Sequence, residues 1–219
     1  MKVFTGFEQS VHIPFFLLLT FIGGFVDASS FVIFKVFTGH LTGNSVLSMI
    51  YLAQMDWGML SLSVISLAGF FMGTLSGAWA RIKITSPSLH MYMISSVFLL
   101  FSIVFILHFF VPSFFSVNLA ILMISMSMGI INGYFNKAGS VSIHTTYVTG
   151  MTTTCINAML SNSPGAGKSV LFFAIIAFML GALSGGYLSV NYQMGGFSCV
   201  LILLFAAVVY SAKFRRNCA

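Results

Sequence analysis

The chain reads as an all-α polytopic membrane protein, and three features of the sequence lead there. Of its 219 residues, 58% are hydrophobic and 5% charged, with a mean hydropathy of +1.04, whereas soluble domains carry roughly 25% charged side chains. The apolar residues gather into stretches on the scale of a bilayer crossing. The third feature is an internal repeat, which divides a single membrane domain, residues 1–219, into copies at about 13–111 and 117–210.

A hydrocarbon core about 30 Å thick takes about 20 apolar residues of helix. Six stretches read as such spans: Ile13–Phe34, Gly58–Ala80, Met91–Val111, Val117–Phe135, Ser169–Val190 and Gly196–Tyr210. Two shorter apolar pieces, Gly43–Gln54 and Gly150–Leu160, each open with Thr-Gly and read as re-entrant or interfacial helices. Charge placement agrees, because the Lys and Arg of short loops gather on the cytoplasmic side. With six spans and the amino terminus inside, Lys2, Arg81, Lys83, Lys137, Lys168, Lys213, Arg215 and Arg216 fall inside, and Lys35 alone falls outside. Both termini are therefore expected in the cytoplasm, with 81–90 inside and the turns 112–116 and 191–195 outside. The net charge of +6 is then a matter of topology. It does not indicate a nucleic-acid partner, since the basic residues form no stripe interleaved with aromatics. Lys2 and the following apolar run resemble a secretory signal cut near Val26-Asp27-Ala28, but the repeat runs straight through that site.

The repeat is degenerate but ordered. Gly24-Phe-Val-Asp27 is answered by Gly129-Ile-Ile-Asn132, His40-Leu-Thr42-Gly43-Asn44 by Tyr147-Val-Thr149-Gly150-Met151, and Gly73-Thr-Leu-Ser-Gly77 by Gly181-Ala-Leu-Ser-Gly185, each roughly 105 positions later. Three spans per copy is an odd number, so the second copy is expected to enter the membrane inverted, with the two Thr-Gly corners approaching from opposite faces. Gly69, Gly73 and Gly77, and likewise Gly181 and Gly185, recur at four-residue intervals and mark helix faces that pack closely. Such faces also permit a homo-oligomer.

Asp27 is the one acid expected inside a span, where a carboxylate is costly unless it is paired, hydrated or protonated. Asn132 at the equivalent place hydrogen-bonds without titrating, and Asn136 follows one turn later on the same face. Thr42-Gly43-Asn44 and Thr149-Gly150 are expected to open helices with hydroxyl or amide caps, whose free amides attract anions or dipoles. Asn157 is a weaker candidate for the lining. The opposing reading is structural: Asp27 ties two helices together, and the corners only cap surface helices.

Several other patterns carry no chemistry. Asn162-Ser-Pro-Gly-Ala-Gly167-Lys168-Ser169 resembles a phosphate loop but lacks its first glycine and the strand before it. His12, His40, His90, His108 and His144 include no pair at metal-ligand spacing, and Cys155, Cys199 and Cys218 read as apolar filler. His40 and His144 lie close enough to the corners to contribute there. No nucleophile sits beside a base, so no enzyme, cofactor or metal is expected.

Gly24-Phe-Val-Asp27-Ala28, Thr42-Gly43-Asn44, Gly129-Ile-Ile-Asn132 and Thr145-Thr-Tyr-Val-Thr149-Gly150 together resemble the YoaK-like family of bacterial membrane proteins. The similarity runs over nearly the whole chain and keeps motif order and spacing. It departs at Gly133-Tyr134, where the family pattern has a small alanine-like residue. The resemblance implies a bacterial inner-membrane protein and brings no established activity with it. The expected function is a small-solute transporter or channel with a polar site between inverted repeats. The alternative is a membrane scaffold or sensor that transports nothing. Its expected partners are the lipid bilayer and an unknown small solute.

Overall fold

The computed structural model describes residues 13–86, 88–135, 137–138, 141–142, 146, 148–160 and 167–217. Among them run eight helices: α1 Ile13–Phe34, α2 Leu41–Ala53, α3 Trp57–Lys83, α4 Leu89–Phe110, α5 Val117–Tyr134, α6 Val148–Leu160, α7 Gly167–Phe197 and α8 Val200–Asn217. A single 3-10 turn, Pro112–Phe114, joins α4 to α5. Between α5 and α6, Lys137–Ala138 pairs antiparallel with Val141–Ser142 in a ladder of two residues a side.

Among the described residues five helices, α1, α3, α4, α5 and α7, are long and apolar enough to cross a membrane, which makes this a multi-pass membrane protein. The sixth expected span falls in α8, whose apolar part, Val200–Lys213, is shorter. The fifth expected span ends too early at Val190, because α7 continues to Phe197. Helical geometry breaks inside it at Gln193, with φ 51 and ψ −131. This break falls within the turn expected at 191–195, and α8 starts at Val200 rather than Gly196. A Cβ on Gly196 would overlap the Leu188 carbonyl, so the chain doubles back on α7 through contact between main chains, which hydropathy does not register.

Helix ends follow local chemistry. Helix α2 stops at left-handed Met55, φ 56, with Met55 N donating to Leu52 O at 3.1 Å and Asp56 N to Tyr51 O at 2.9 Å, the paired bonds of a Schellman ending. Asp56 then caps α3, its Oδ1 accepting from Met59 N at 3.0 Å. Hydroxyls inside the helices mostly turn back on their own carbonyls, as Thr20 does on Phe16 at 2.8 Å and Ser48 on Asn44 at 2.8 Å. A hydroxyl bonded in this way offers no free hydrogen to lipid.

Two helices form the centre. The most apolar stretches of α1 and α5 are 61% and 67% buried, against 28% in each of α3, α4 and α7, so α1 and α5 are inner helices and the rest surround them. Helix α1 packs along α7, and α3 along α5. Both seams are set by glycine. A Cβ on Gly73 would overlap the Met126 carbonyl, and one on Gly69 or Gly77 would lie 2.7 Å from Leu122 O or Ile130 O. In the other seam Gly181 and Gly185 stand in the same way against the Phe21 and Phe25 carbonyls. Gly24 and Gly129 complete the pattern, meeting the carbonyls of Phe178 and Phe70. Gly133, the departure from the family pattern, lies against the Thr74 carbonyl and Ala78 N, where a side chain would not fit. Among the remaining contacts α2 leans on α3 as α6 does on α7, α4 touches α5 as α8 touches α1, and α4 also packs on α8.

Candidate functional site

Helix α1 ends at left-handed Lys35, φ 60, whose N–H donates to Phe31 O at 3.0 Å. The chain then turns back along α1. Thr38 Oγ1 lies 2.9 Å from Ser30 Oγ, and one turn deeper Gly39 N donates to Asp27 Oδ1 at 2.7 Å, with Thr38 N at 3.3 Å. Asp27 is seven residues inside the end of α1, about 10 Å at 1.5 Å per residue. Helix α2 therefore starts deep beside Asp27 and runs outward again. Its far end returns to the level of Lys35, where Tyr51 OH donates to Lys35 O at 3.1 Å.

The folded-back segment is gripped by side chains. Asn44 Oδ1 accepts from Phe37 N at 2.9 Å, while Asn44 Nδ2 donates to Phe37 O at 2.6 Å and to Ser66 Oγ at 2.9 Å. Ser66 Oγ also donates to Phe37 O at 2.6 Å and lies 2.8 Å from Ser125 Oγ. One amide side chain thus pairs with both main-chain groups of Phe37 as a neighbouring strand would. The chain links α2 and α3 to central α5.

The segment before α6 reaches the same place. The position a Gly39 Cβ would occupy is 2.9 Å from Thr146 Cγ2, 3.2 Å from Asp27 Oδ1 and 3.4 Å from Asp27 Oδ2. Thr146 Oγ1 donates to Asn132 Oδ1 at 3.4 Å, and Asn132 Nδ2 donates to Met128 O at 3.0 Å. Asp27, Thr146 and Asn132 are 3%, 5% and 8% exposed, so this meeting point is sealed from the surface. Both short helices begin two residues beyond it, at Leu41 and Val148. Asp27 Oδ2 is buried there without a hydrogen-bond partner.

Of the residues singled out in the sequence, Asp27, Asn44 and Asn132 enter this cluster. Thr42 and Thr149 do not. Both lie on exposed faces three residues past the contact, and the residue that caps α2 is His40, without a side-chain hydrogen bond. The expected hydroxyl cap at Thr42 is therefore corrected, because Thr42 is already inside the helix. Gly43 is half-buried, and its missing Cβ makes room for the Phe37 ring, which would otherwise lie 2.9 Å away. Gly150 is half-buried and Asn157 exposed, so Asn157 lines nothing central. Asn136 and His144 lie outside the described residues. The His40 ring packs on Phe37 with centroids 5.5 Å apart. Sequence reasoning missed Gly39, Thr38, Ser66 and Thr146. The one available signal was that Thr38-Gly39 and Thr145-Thr146 precede the two corners at matched distance.

These features define a multi-pass α-helical membrane protein in which the segment after one central helix returns to a buried polar cluster that Thr146, beyond the other central helix, also enters. The chain belongs to the family described as protein of unknown function (DUF1275), whose model matches residues 15–211 and of which the YoaK-like proteins are members. No curated protein and no solved structure matches it.

Proposed function

We propose that this protein is a small-solute transporter or channel of the bacterial inner membrane, rather than an enzyme, built from two inverted halves that each carry three spans and one re-entrant half-helix. The observation that carries the reading is the contact between Gly39 and Thr146, beside Asp27 and Asn132. Non-helical backbone at membrane depth is tolerated where it is packed on protein or lines a pathway, and matched interruptions in two halves are the usual mark of a translocation site. Equivalent glycine contacts in the α1–α7 and α3–α5 seams support the two-copy reading. In this reading α8 is the sixth span, both termini are cytoplasmic, and the closed contact is the occluded form of the pathway.

A second reading has its own support. Asp27 Oδ1 and the whole Asn44 amide are engaged with the main chain of residues 37–39, as they would be in a scaffold or sensor that moves nothing. Proteoliposomes loaded with panels of small neutral, anionic and cationic solutes separate the two. Protein-dependent flux that Gly39→Val abolishes supports transport. A folded wild type that moves no solute of any class would leave the scaffold reading standing.

A further inference from the structure

The Asp27 carboxylate has two unlike oxygens. Oδ1 takes the amides of Thr38 and Gly39, whereas Oδ2 is buried without a partner. Beside the carboxylate stand Thr38 and Gly39 of the returning segment, with Thr146 across Gly39 and Asn132 of α5 bonded to Thr146. Of the nearest ionisable groups along the segment, His40 is turned onto Phe37, and the exposed Lys35 Nζ donates to Val32 O at 3.0 Å. Among the described residues Asp27 therefore has no cationic partner. The positive end of α2 and the two amides act on the side of Oδ1.

Across Gly39 from Asp27 stands Thr146, whose Cγ2 lies 2.9 Å from the position a Gly39 Cβ would take. Thr146 Oγ1 keeps its lone pairs while donating its hydrogen across a long 3.4 Å contact to Asn132 Oδ1, which itself retains acceptor capacity. The absent side chain of Gly39 lets Asp27 and Thr146 approach each other closely. A buried carboxylate oxygen without a hydrogen-bond partner, in a cluster whose other side chains carry a hydroxyl and an amide oxygen, suits a single positive charge, and such oxygen ligands suit a hard ion over a soft one.

We propose that the cluster of Asp27 Oδ2, Thr146 and Asn132 binds one monovalent cation, sodium or a proton. The inference rests on the transport reading only for what the ion would drive, because binding is measurable without flux. The pattern has no histidine or cysteine spacing, which is why no metal signature precedes it in the sequence.

The test is thermal unfolding of purified protein in detergent. In the first arm sodium chloride is titrated against choline chloride at constant ionic strength. In the second, performed without sodium, the pH is stepped from mildly basic to mildly acidic. Sodium binding is expected to raise the wild-type Tm saturably, by about 5 °C at a hundredfold excess over Kd. A proton occupant instead gives a rise on acidification without sodium. Asp27→Asn, checked for monodisperse elution, is expected to abolish whichever response occurs. Thr146→Val is expected to weaken a sodium response at least tenfold in apparent affinity and to leave a proton response in place. Should Asp27→Asn not fold, the wild-type response and its change in Thr146→Val decide the matter for sodium, and hydrogen–deuterium exchange protection of the Gly39 amide against pH decides it for the proton. The proposal is overturned if wild type responds to neither arm, or if folded Asp27→Asn responds as wild type does. Flux in a protein whose Tm responds to neither arm would sink this inference and leave the transport reading intact.

Discussion

Asn44→Ala tests whether the returning segment is held by its side-chain clamp. The substitution removes the acceptor for Phe37 N and one of two donors to Phe37 O, while Ser66 Oγ still serves the carbonyl at 2.6 Å. The net effect is one orphaned main-chain N–H. In a soluble core that costs about 1–3 kcal/mol, but polar contacts in membrane proteins average about 0.6 and reach about 1.7 kcal/mol, since the unfolded chain in a micelle also finds partners. We expect a loss of about 1–2 kcal/mol. Ser66→Ala alone should cost less, about 0.5 kcal/mol, because Asn44 Nδ2 continues to serve Phe37 O at 2.6 Å. Each residue covers for the other on that carbonyl. The double variant therefore orphans both main-chain groups of Phe37 and should exceed the sum of the singles by about 1 kcal/mol. Reversible unfolding in mixed micelles followed by circular dichroism measures all three. Strict additivity, or an Asn44→Ala protein within error of wild type, would refute the clamp.

Gly73→Val and Gly181→Val should destabilise to a similar degree, by about 3 kcal/mol or more, since each drives a side chain into the facing helix backbone. Gly58→Ala, whose Cβ would meet only Asp56 Oδ1 at 3.5 Å, should be neutral in the same unfolding assay. Gly39→Val should block flux while Gly43→Ala retains it: the first strikes Thr146 and Asp27 at the sealed contact, the second only the movable Phe37 ring. Equal flux in the two would place the pathway elsewhere. In a cysteine-free background, Ser113→Cys should label from outside and Ser86→Cys only after permeabilisation, and the reverse pattern would overturn the proposed orientation.

Much of the architecture is legible in one dimension because lipid imposes it there. Backbone groups must be satisfied within each span, so α1, α3, α4 and α5 appear as apolar runs whose expected limits fall within a few residues of the observed ones. The glycine spacing of 69, 73 and 77 announces a close seam, since only a missing Cβ permits it. Asp27 stands out because an acid in an apolar run is expensive wherever it ends up.

The sequence by itself therefore determined that the chain crosses a membrane repeatedly, which helix faces pack closely, and which acid is buried. Tertiary structure decided the partners. Glycine at four-residue intervals states that some backbone approaches without saying that α3 receives α5 and α1 receives α7. Asn44 could have capped α2 by its local rules. Instead the return of residues 36–39 along α1 puts both Phe37 main-chain groups within its reach, and satisfying them in a low-dielectric interior outweighs a cap that water or lipid headgroups could replace. Gly39 and Thr146 meet for the same nonlocal reason. Their contact requires α1 and α5 to lie together at the centre, and that placement follows from how the halves pack rather than from any pattern within either one.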